Sequence, residues 1–291
     1  MASPSIRYNN LRHFVNQYQI SFDMHGNYEA IESRIRSAVA PPEYLPDLNV
    51  CYIDKNKLFL IFHEKIIAKT TLSMVVLAYE YFSGKTRVLN EMCIEDMHDE
   101  AQAECELNCL EKLKNVPGFI HAKGYFVYYR DQKKYRGVFY KYYVDGDLFK
   151  LVKDRTIDVE LVFRSLVERV ETLHNLSIVH RDLKWENMYW SRTKGLIVAD
   201  FGLAFISPNP EQEQYVVGTL GYIPPEVLRK YTNQMIRVGF FNDVWSVGIL
   251  GYSAINGFLP AVCAEVTPKL CKDFVEAYNN MTRLEGFTVR Y

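Results

Sequence analysis

Val179–Trp190 reads VHRDLKWENMYW, and its inner eight residues hold one histidine, two acids, two bases and an asparagine amide. Apolar residues flank the cluster on both sides, Leu176, Ile178 and Val179 before it and Met188–Trp190 after it. A charge hidden among apolar neighbours is costly unless it finds a partner. The cluster is therefore either an exposed loop between two strands or a set of groups facing a charged ligand. The segments on either side decide between these.

Downstream, thirteen residues after Asn187, comes Asp200-Phe201-Gly202, preceded by the strand-like LIVA. GTLGYIPPE follows at Gly218–Glu226, and DVWSVGIL at Asp243–Leu250. His180-Arg181-Asp182-Leu183 with Asn187 matches a catalytic-loop pattern, H-R-D-L-x-x-x-N. With these four motifs in this order and spacing, the chain resembles the eukaryotic-type protein kinase family over roughly residues 60–262. The resemblance implies an α+β, bilobal fold, with a small β-rich N-lobe, a larger α-helical C-lobe and ATP and Mg²⁺ as cofactors. Phosphoryl transfer asks mainly for positioning and electrostatic stabilisation of spread negative charge. By resemblance, Asp182 orients the substrate hydroxyl, and Asn187 and Asp200 are the Mg²⁺ ligands. Lys184 steadies the transferred phosphate and points to the serine/threonine type. Arg181 meets an anion on the activation segment; Glu211, Glu213 and phosphorylated Ser207 or Tyr215 are its candidates. Asp243 holds the catalytic loop's backbone. Leu110, His180 and Phe201 belong to a packed hydrophobic column.

VDGDLF, Val144–Phe149, resembles the exit of the hinge. This places Tyr140 at the gatekeeper position, Lys141 and Tyr142 beside adenine, and Asp147 near the ribose, where a solvated turn acid is the competing reading. Glu106 matches the glutamate of the N-lobe helix. The N-terminal half then departs from the pattern. Aligned on Val75 and Ala78, Ala68, Thr70 and Ser73 stand where three glycines belong. Side chains there restrict the positive-φ conformations and close phosphate approach that glycine allows. SGKTRVLN puts Asn90 at the position of the family's strand lysine, sixteen residues before Glu106. Strand alternation puts Val88 and Asn90 on one face and Arg87 on the other. Lys69 in the loop is a candidate replacement cation, with a solvent-facing lysine as the alternative. Late in the chain, only Arg283 and Arg290 could pair with Glu226, so the terminal helices are expected to be shortened.

The chain has 291 residues, 48% hydrophobic and 24% charged, with a net charge of −1. Such a composition belongs to a globular protein with a sizeable core. It gives no reason to expect nucleic acid or an anionic membrane as partner. No apolar run is long enough to span a bilayer, and the first seventeen residues lack a signal-like apolar core. The six cysteines show no C-x-x-C spacing, which argues against zinc and for a reduced compartment, cytoplasm or nucleus. Residues 27–39 and 99–116 predict helices, and residues 159–176 the longest amphipathic one. Strands are predicted from Lys57 onward, in KLFLIFHEKII, MVVLAYEYF, TRVLNEMC, GYFVYY and YRGVFYKYY. The resulting expectation is an N-terminal extension, residues 1–55, followed by a kinase-like domain, residues 56–291, with lobes at about 56–140 and 145–291. Its expected function is serine/threonine phosphorylation of a protein substrate with atypical nucleotide binding, with a pseudokinase scaffold as the alternative. A partner is expected for the extension or for the shortened C-lobe.

Overall fold

A computed structural model describes residues 2–36, 43–45, 49–54, 56–70, 73–206, 211–214, 217–219, 221–224, 227 and 236–256. The chain divides into two compact units: Met1–Ala103 with His121–Tyr142, and Glu104–Ile120 with Tyr143–Tyr291. The expected extension, residues 1–55, lies within the first unit.

The first unit is built on one antiparallel seven-stranded sheet, in the order β1-β2-β3-β4-β5-β7-β6. Its strands are β1 (Glu43–Leu45), β2 (Val50–Asp54), β3 (Lys57–Lys69), β4 (Ser73–Glu80), β5 (Lys85–Ile94), β6 (Gly124–Arg130) and β7 (Lys133–Lys141). The run of β-branched and aromatic residues in β3–β7 accounts for their extended form. Period-2 alternation sorts them onto two faces. One face carries Phe59, Ile61, Val76, Ala78, Leu89, Phe126 and Phe139 in a shared buried cluster. Gly137 sits inside that cluster because a Cβ there would lie 2.5 Å from the Phe126 ring.

The opposite face carries Leu58, Leu60, Phe62, Leu77 and Tyr79, and two helices cover it. They are α1 (Pro4–Gln17) and α2 (Met24–Arg36). The second fits the helix predicted from residue 27 and starts three residues earlier; residues 37–39 of that prediction lie outside the described residues. The first was not anticipated, although its signals are present. Ser3 caps it, Pro4 occupies its first turn, and Leu11, Phe14 and Val15 line one buried stripe. Phe14 packs on Phe62 and Tyr79, and Phe22 on Phe62. A buried network fastens the pair: Arg7 donates two hydrogen bonds to Glu32, at 3.0 and 2.9 Å, and the Tyr81 hydroxyl donates to the same carboxylate. Burial alone would push the Glu32 carboxyl up, but the hydrogen bonds from Arg7 and Tyr81 outweigh it and leave it below the usual carboxylate range.

Helix α3 (Met97–Lys112) runs from one unit into the other. The second unit adds α4 (Leu148–Lys153), α5 (Val159–Asn175) and α6 (Phe240–Asn256), with short hairpins between. Asp158 caps α5, whose Val162, Phe163, Leu166, Val170 and Leu173 form the buried stripe expected of an amphipathic helix. Pairs β8 (Ile178–Val179) with β11 (Phe205–Ile206), and β9 (Met188–Ser191) with β10 (Gly195–Val198), frame the charged cluster. Strands β12 (Glu211–Gln214) and β13 (Ile236–Gly239) also pair. No described helix is long and apolar enough to cross a membrane. Glu226, Arg283, Arg290 and everything after residue 256 lie outside the described residues, and so does the expected shortening of the terminal helices.

Candidate active site

The charged cluster lies in the second unit between β8 and β9, and buried Asp243 organises it. Its Oδ2 accepts from the His180 backbone N–H (2.9 Å) and its Oδ1 from that of Arg181 (2.9 Å). The His174 ring also bonds to Oδ2, at 3.0 Å. These bonds hold Arg181 in the left-handed region at φ 67°, a conformation that a non-glycine residue keeps only when its surroundings impose it. His180 Nδ1 accepts from the Asp182 N–H (3.3 Å), so its proton sits on Nε2, which donates to the Ala199 carbonyl (3.0 Å). The imidazole thereby ties the loop to the strand leading into Asp200. The His180 and Phe201 rings meet at 5.0 Å, and Leu110 is also buried within this unit.

Asp182 is buried and receives three donors. Thr219 donates to Oδ1 at 2.6 Å, and Lys184 Nζ and the Asn187 side-chain amide donate to Oδ2 at 2.9 and 3.0 Å. Lys184 also bonds Thr219 Oγ1 at 2.8 Å. Asn187 gives its second amide hydrogen to the Asp182 carbonyl at 2.9 Å. Its Oδ1 is then the remaining polar atom, an oxygen of the kind Mg²⁺ takes. Thr219 belongs to this network and was missed as a site residue. The "GT" of GTLGYIPPE was its only signal. Gly218 beside it has φ 119°, and a Cβ there would lie 2.6 Å from the Arg181 carbonyl oxygen, so no larger residue fits without moving the loop.

Asp200 also adopts the left-handed region, at φ 63°. It is solvent-accessible, yet protein atoms surround its carboxylate closely. That burial, then the charges of Glu106 and Asp182, raise its pKa, against His180 and the Gly202 N–H, which lower it. The carboxylates of Asp182 and Glu106 raise the Asp200 pKa through their charge, and hard oxygen donors in such a field suit a divalent ion. Glu106 itself is buried in α3. Arg181 is largely enclosed: its Nε donates to the Leu203 carbonyl and its guanidinium lies 5.0 Å from the Phe205 ring centroid. Burial pulls its pKa down to about 10. The side chains of its expected anionic partners, Ser207, Glu211, Glu213 and Tyr215, lie outside the described residues.

Asp147 caps α4, accepting from the Lys150 N–H at 3.4 Å, and its backbone bridges to Tyr189. The structure therefore gives this side chain a helix-capping bond, in line with the turn-acid reading of the sequence. In the first unit, Asn90 pairs with Val75 and Val138, and Val88 with Leu77 and Tyr140, so these residues share one face. Tyr140 is buried there. Tyr142, at the end of the unit, meets the Tyr18 ring edge-on at 6.2 Å. The Asn90 Oδ1 is buried with no hydrogen-bond partner among the described residues. Arg87 lies on the other face, engaged by Glu80, as strand alternation predicts. Lys69 is exposed at the tip of β3, opposite Met74. Between them the Thr70 N–H donates to the Ser73 carbonyl (2.8 Å) and the Ser73 N–H to Thr70 Oγ1 (3.0 Å). Two amides that a phosphate-cradling loop would offer are thus committed within the turn.

The family model of the protein kinase domain matches residues 63–284, which include the whole cluster. The chain belongs to the protein kinase family. Relatives include a calcium/calmodulin-dependent protein kinase of Emericella nidulans, 34% identical over 61% of this chain and 42% of its own length. A probable myosin light chain kinase of Dictyostelium discoideum is 31% identical over 67% of this chain and 63% of its own length. An Aurora kinase of Eremothecium gossypii is 26% identical over 67% of this chain and 53% of its own length. The chain thus matches about two fifths to two thirds of the length of these relatives. The first unit's sheet with α3, and the helical second unit, form the α+β kinase fold the motifs imply.

Proposed function

We propose that this protein kinase domain transfers the γ-phosphate of ATP to serine or threonine hydroxyls of a protein, with altered handling of the nucleotide's phosphates. One observation carries the reading: Asp182, Lys184, Asn187 and Thr219 form a closed hydrogen-bonded network around a single carboxylate. That arrangement supports Asp182 as the group that orients the attacking hydroxyl and accepts its proton. Lys184, already held by Asp182 and Thr219, places its ammonium where charge on the transferring phosphate can be met. Asn187 and Asp200 would hold Mg²⁺, which when bound neutralises phosphate charge. Lys184, two residues beyond Asp182, supports the serine/threonine type. A cytoplasmic or nuclear setting is part of the proposal, resting on the absence of paired cysteine motifs.

A second reading, a pseudokinase scaffold, is favoured by the first unit. Asn90 brings no charge where the family has lysine, and the Thr70–Ser73 turn occupies its own amides. Losing one such electrostatic contact costs about 10²–10³ in rate, which weakens catalysis without abolishing it. Phosphotransfer from radiolabelled ATP to a generic protein substrate, with and without chelator, separates the two. Signal that disappears with chelator and with Asp200→Ala supports the kinase, and Asn90→Lys is then expected to raise it. No transfer and no ATP binding at millimolar concentration would establish the scaffold. If Lys69→Ala abolishes transfer while Asn90→Lys changes nothing, the loop lysine supplies the cation instead.

A further inference from the structure

Helix α3 carries two free thiols four residues apart, Cys105 and Cys109. Four residues is about one helical turn, so the two side chains are neighbours on one face. Cys105 packs against the apolar cluster that includes Val179, Phe205 and Ile223, beside the β8–β11 pair, and keeps partial solvent access. Cys109 is fully buried. Both thiols, the β8–β11 pair and Arg181 belong to the second unit. A hydrogen bond from the Cys109 thiol, another from the Ile206 backbone and the charge of Arg181 favour the Cys105 thiolate. Burial and the charge of Glu104 oppose them, and the balance holds the Cys105 thiol below its ordinary range. From the other side, Cys105 is the first of the negative groups that sustain the buried Arg181 cation, ahead of Asp243 and Cys109. A partly accessible sulfur beside a cation and two donors is in the form that reacts with electrophiles. Two other described cysteines differ. Cys51 is buried in the sheet core, where desolvation pushes its thiol up, and Cys93 faces the Glu95 carboxylate at 4.0 Å.

We propose that Cys105 is a modification site for peroxide, oxidised to a sulfenic acid, with Cys109 as the neighbouring donor that prepares it. The thiolate attacks one peroxide oxygen; the O–O bond breaks, an S–O bond forms and hydroxide leaves. Sulfur gives up two electrons, the peroxide takes them, and the departing hydroxide is protonated by buffer. The cation of Arg181 favours both the thiolate and the leaving hydroxide. The product stays a sulfenic acid. Cβ atoms one helical turn apart are about 5–6 Å from each other, whereas a disulfide needs about 3.5–4.5 Å. A Cys105–Cys109 bridge would have to deform the turn that holds Glu106. Oxidation also replaces the thiolate by a bulkier, neutral group against Val179 and Phe205. It withdraws a negative neighbour from buried Arg181, and a buried charge that loses its partner is destabilising.

The test treats the reduced full chain with stoichiometric hydrogen peroxide at neutral pH and traps sulfenic acid with dimedone, the adduct being located by peptide mass spectrometry. Cys105 should be labelled roughly tenfold faster than Cys93, because a cation and two donors favour its thiolate while a carboxylate faces Cys93. Cys105→Ser should abolish that adduct. Peroxide should lower the melting temperature of the parent by about 2 °C or more and leave that of Cys105→Ser unchanged. Cys109→Ala removes a donor and should slow labelling at Cys105 several-fold, whereas Cys109→Ser keeps an O–H donor and should label within about twofold of the parent. Where Cys109→Ala melts early, the order of labelling among the parent's own cysteines still decides. Adducts on Cys93, or spread without preference over all six cysteines, would overturn the proposal. A stable Cys105–Cys109 disulfide would overturn it too, as would undiminished labelling of Cys105 in a folded Cys109→Ala variant. An equal fall in melting temperature in the parent and in Cys105→Ser would overturn the link to Arg181. None of these readouts needs phosphotransfer, so their failure and the failure of the kinase reading are separate results.

Discussion

At the scale of single residues, Asp182 and Asp200 sit in contrasting fields. Asp182 is surrounded by donors, and Asp200 by other carboxylates. Thr219→Val removes two hydrogen bonds to charged groups, one to Asp182 and one from Lys184, each a change of about 1.5–3 kcal/mol, so kcat should fall at least about 10-fold. Asp182→Asn should abolish turnover while ATP affinity stays within a few-fold, since the substitution touches the hydroxyl's acceptor rather than the phosphates. Steady-state kinetics with nucleotide titrations check both. Asp200 makes a different prediction. Its folded pKa is raised, so the folded state binds more protons than the unfolded state, and stability falls as pH rises through that window. In chelator at neutral pH, Asp200→Asn should therefore raise the melting temperature even as it removes activity. The gain should vanish in acid, where the carboxyl is protonated in both states. An unchanged melting temperature at pH 7 would mean that the carboxylate field around Asp200 is weaker than its surroundings indicate.

At the scale of elements, α1 and α2 are held to the sheet by an apolar interface and one ionic knot. Arg7 and Glu32 are each 9% exposed at the side chain. Removing one partner of a buried pair leaves the other charge uncompensated, at a cost of about 3–5 kcal/mol. Glu32→Ala should show that loss in denaturant unfolding, whereas Arg7→Met with Glu32→Leu should recover most of it. The native pair also has a pH signature. The Glu32 carboxyl lies below its ordinary range, so its contribution is present above the unfolded pKa and fades as pH falls through the folded one. The helix pair was half legible. The α2 region was read as a helix over residues 27–39, but α1 went unread because its apolar stripe is short and carries the charged Arg7 one turn before Leu11. Ser3-Pro4 was its clearest sign.

At the scale of the whole molecule, the N-terminal segment belongs to the core of the first unit. Leu58, Leu60, Phe62, Leu77 and Tyr79 lie under α1 and α2, and fully burying each such side chain contributes about 1.5–3 kcal/mol. Deleting residues 1–48 should expose a contiguous apolar face and yield an aggregating chain rather than a trimmed, active one. Size-exclusion chromatography of the truncated protein gives the answer. A monomeric, folded product would mean that the helices are an accessory to the sheet.

The candidate catalytic loop was legible because the proposed chemistry tolerates few substitutes: hard oxygen ligands, one orienting carboxylate and one cation would have to stand at fixed spacing, and local sequence records them. Strand alternation likewise placed Asn90 and Arg87 on opposite faces, since period 2 is a property of the backbone. Thr219 lies thirty-seven residues from Asp182, and no local pattern couples two residues so far apart. The same holds for Arg7 and Glu32, for Cys105 and Arg181 and for the raised pKa of Asp200. Each depends on which side chains the chain brings together and on how much water they lose. Sequence alone determined the family and named the candidate residues; tertiary structure decided the partners and fields in which those residues sit, because distance and desolvation exist only once the chain has folded.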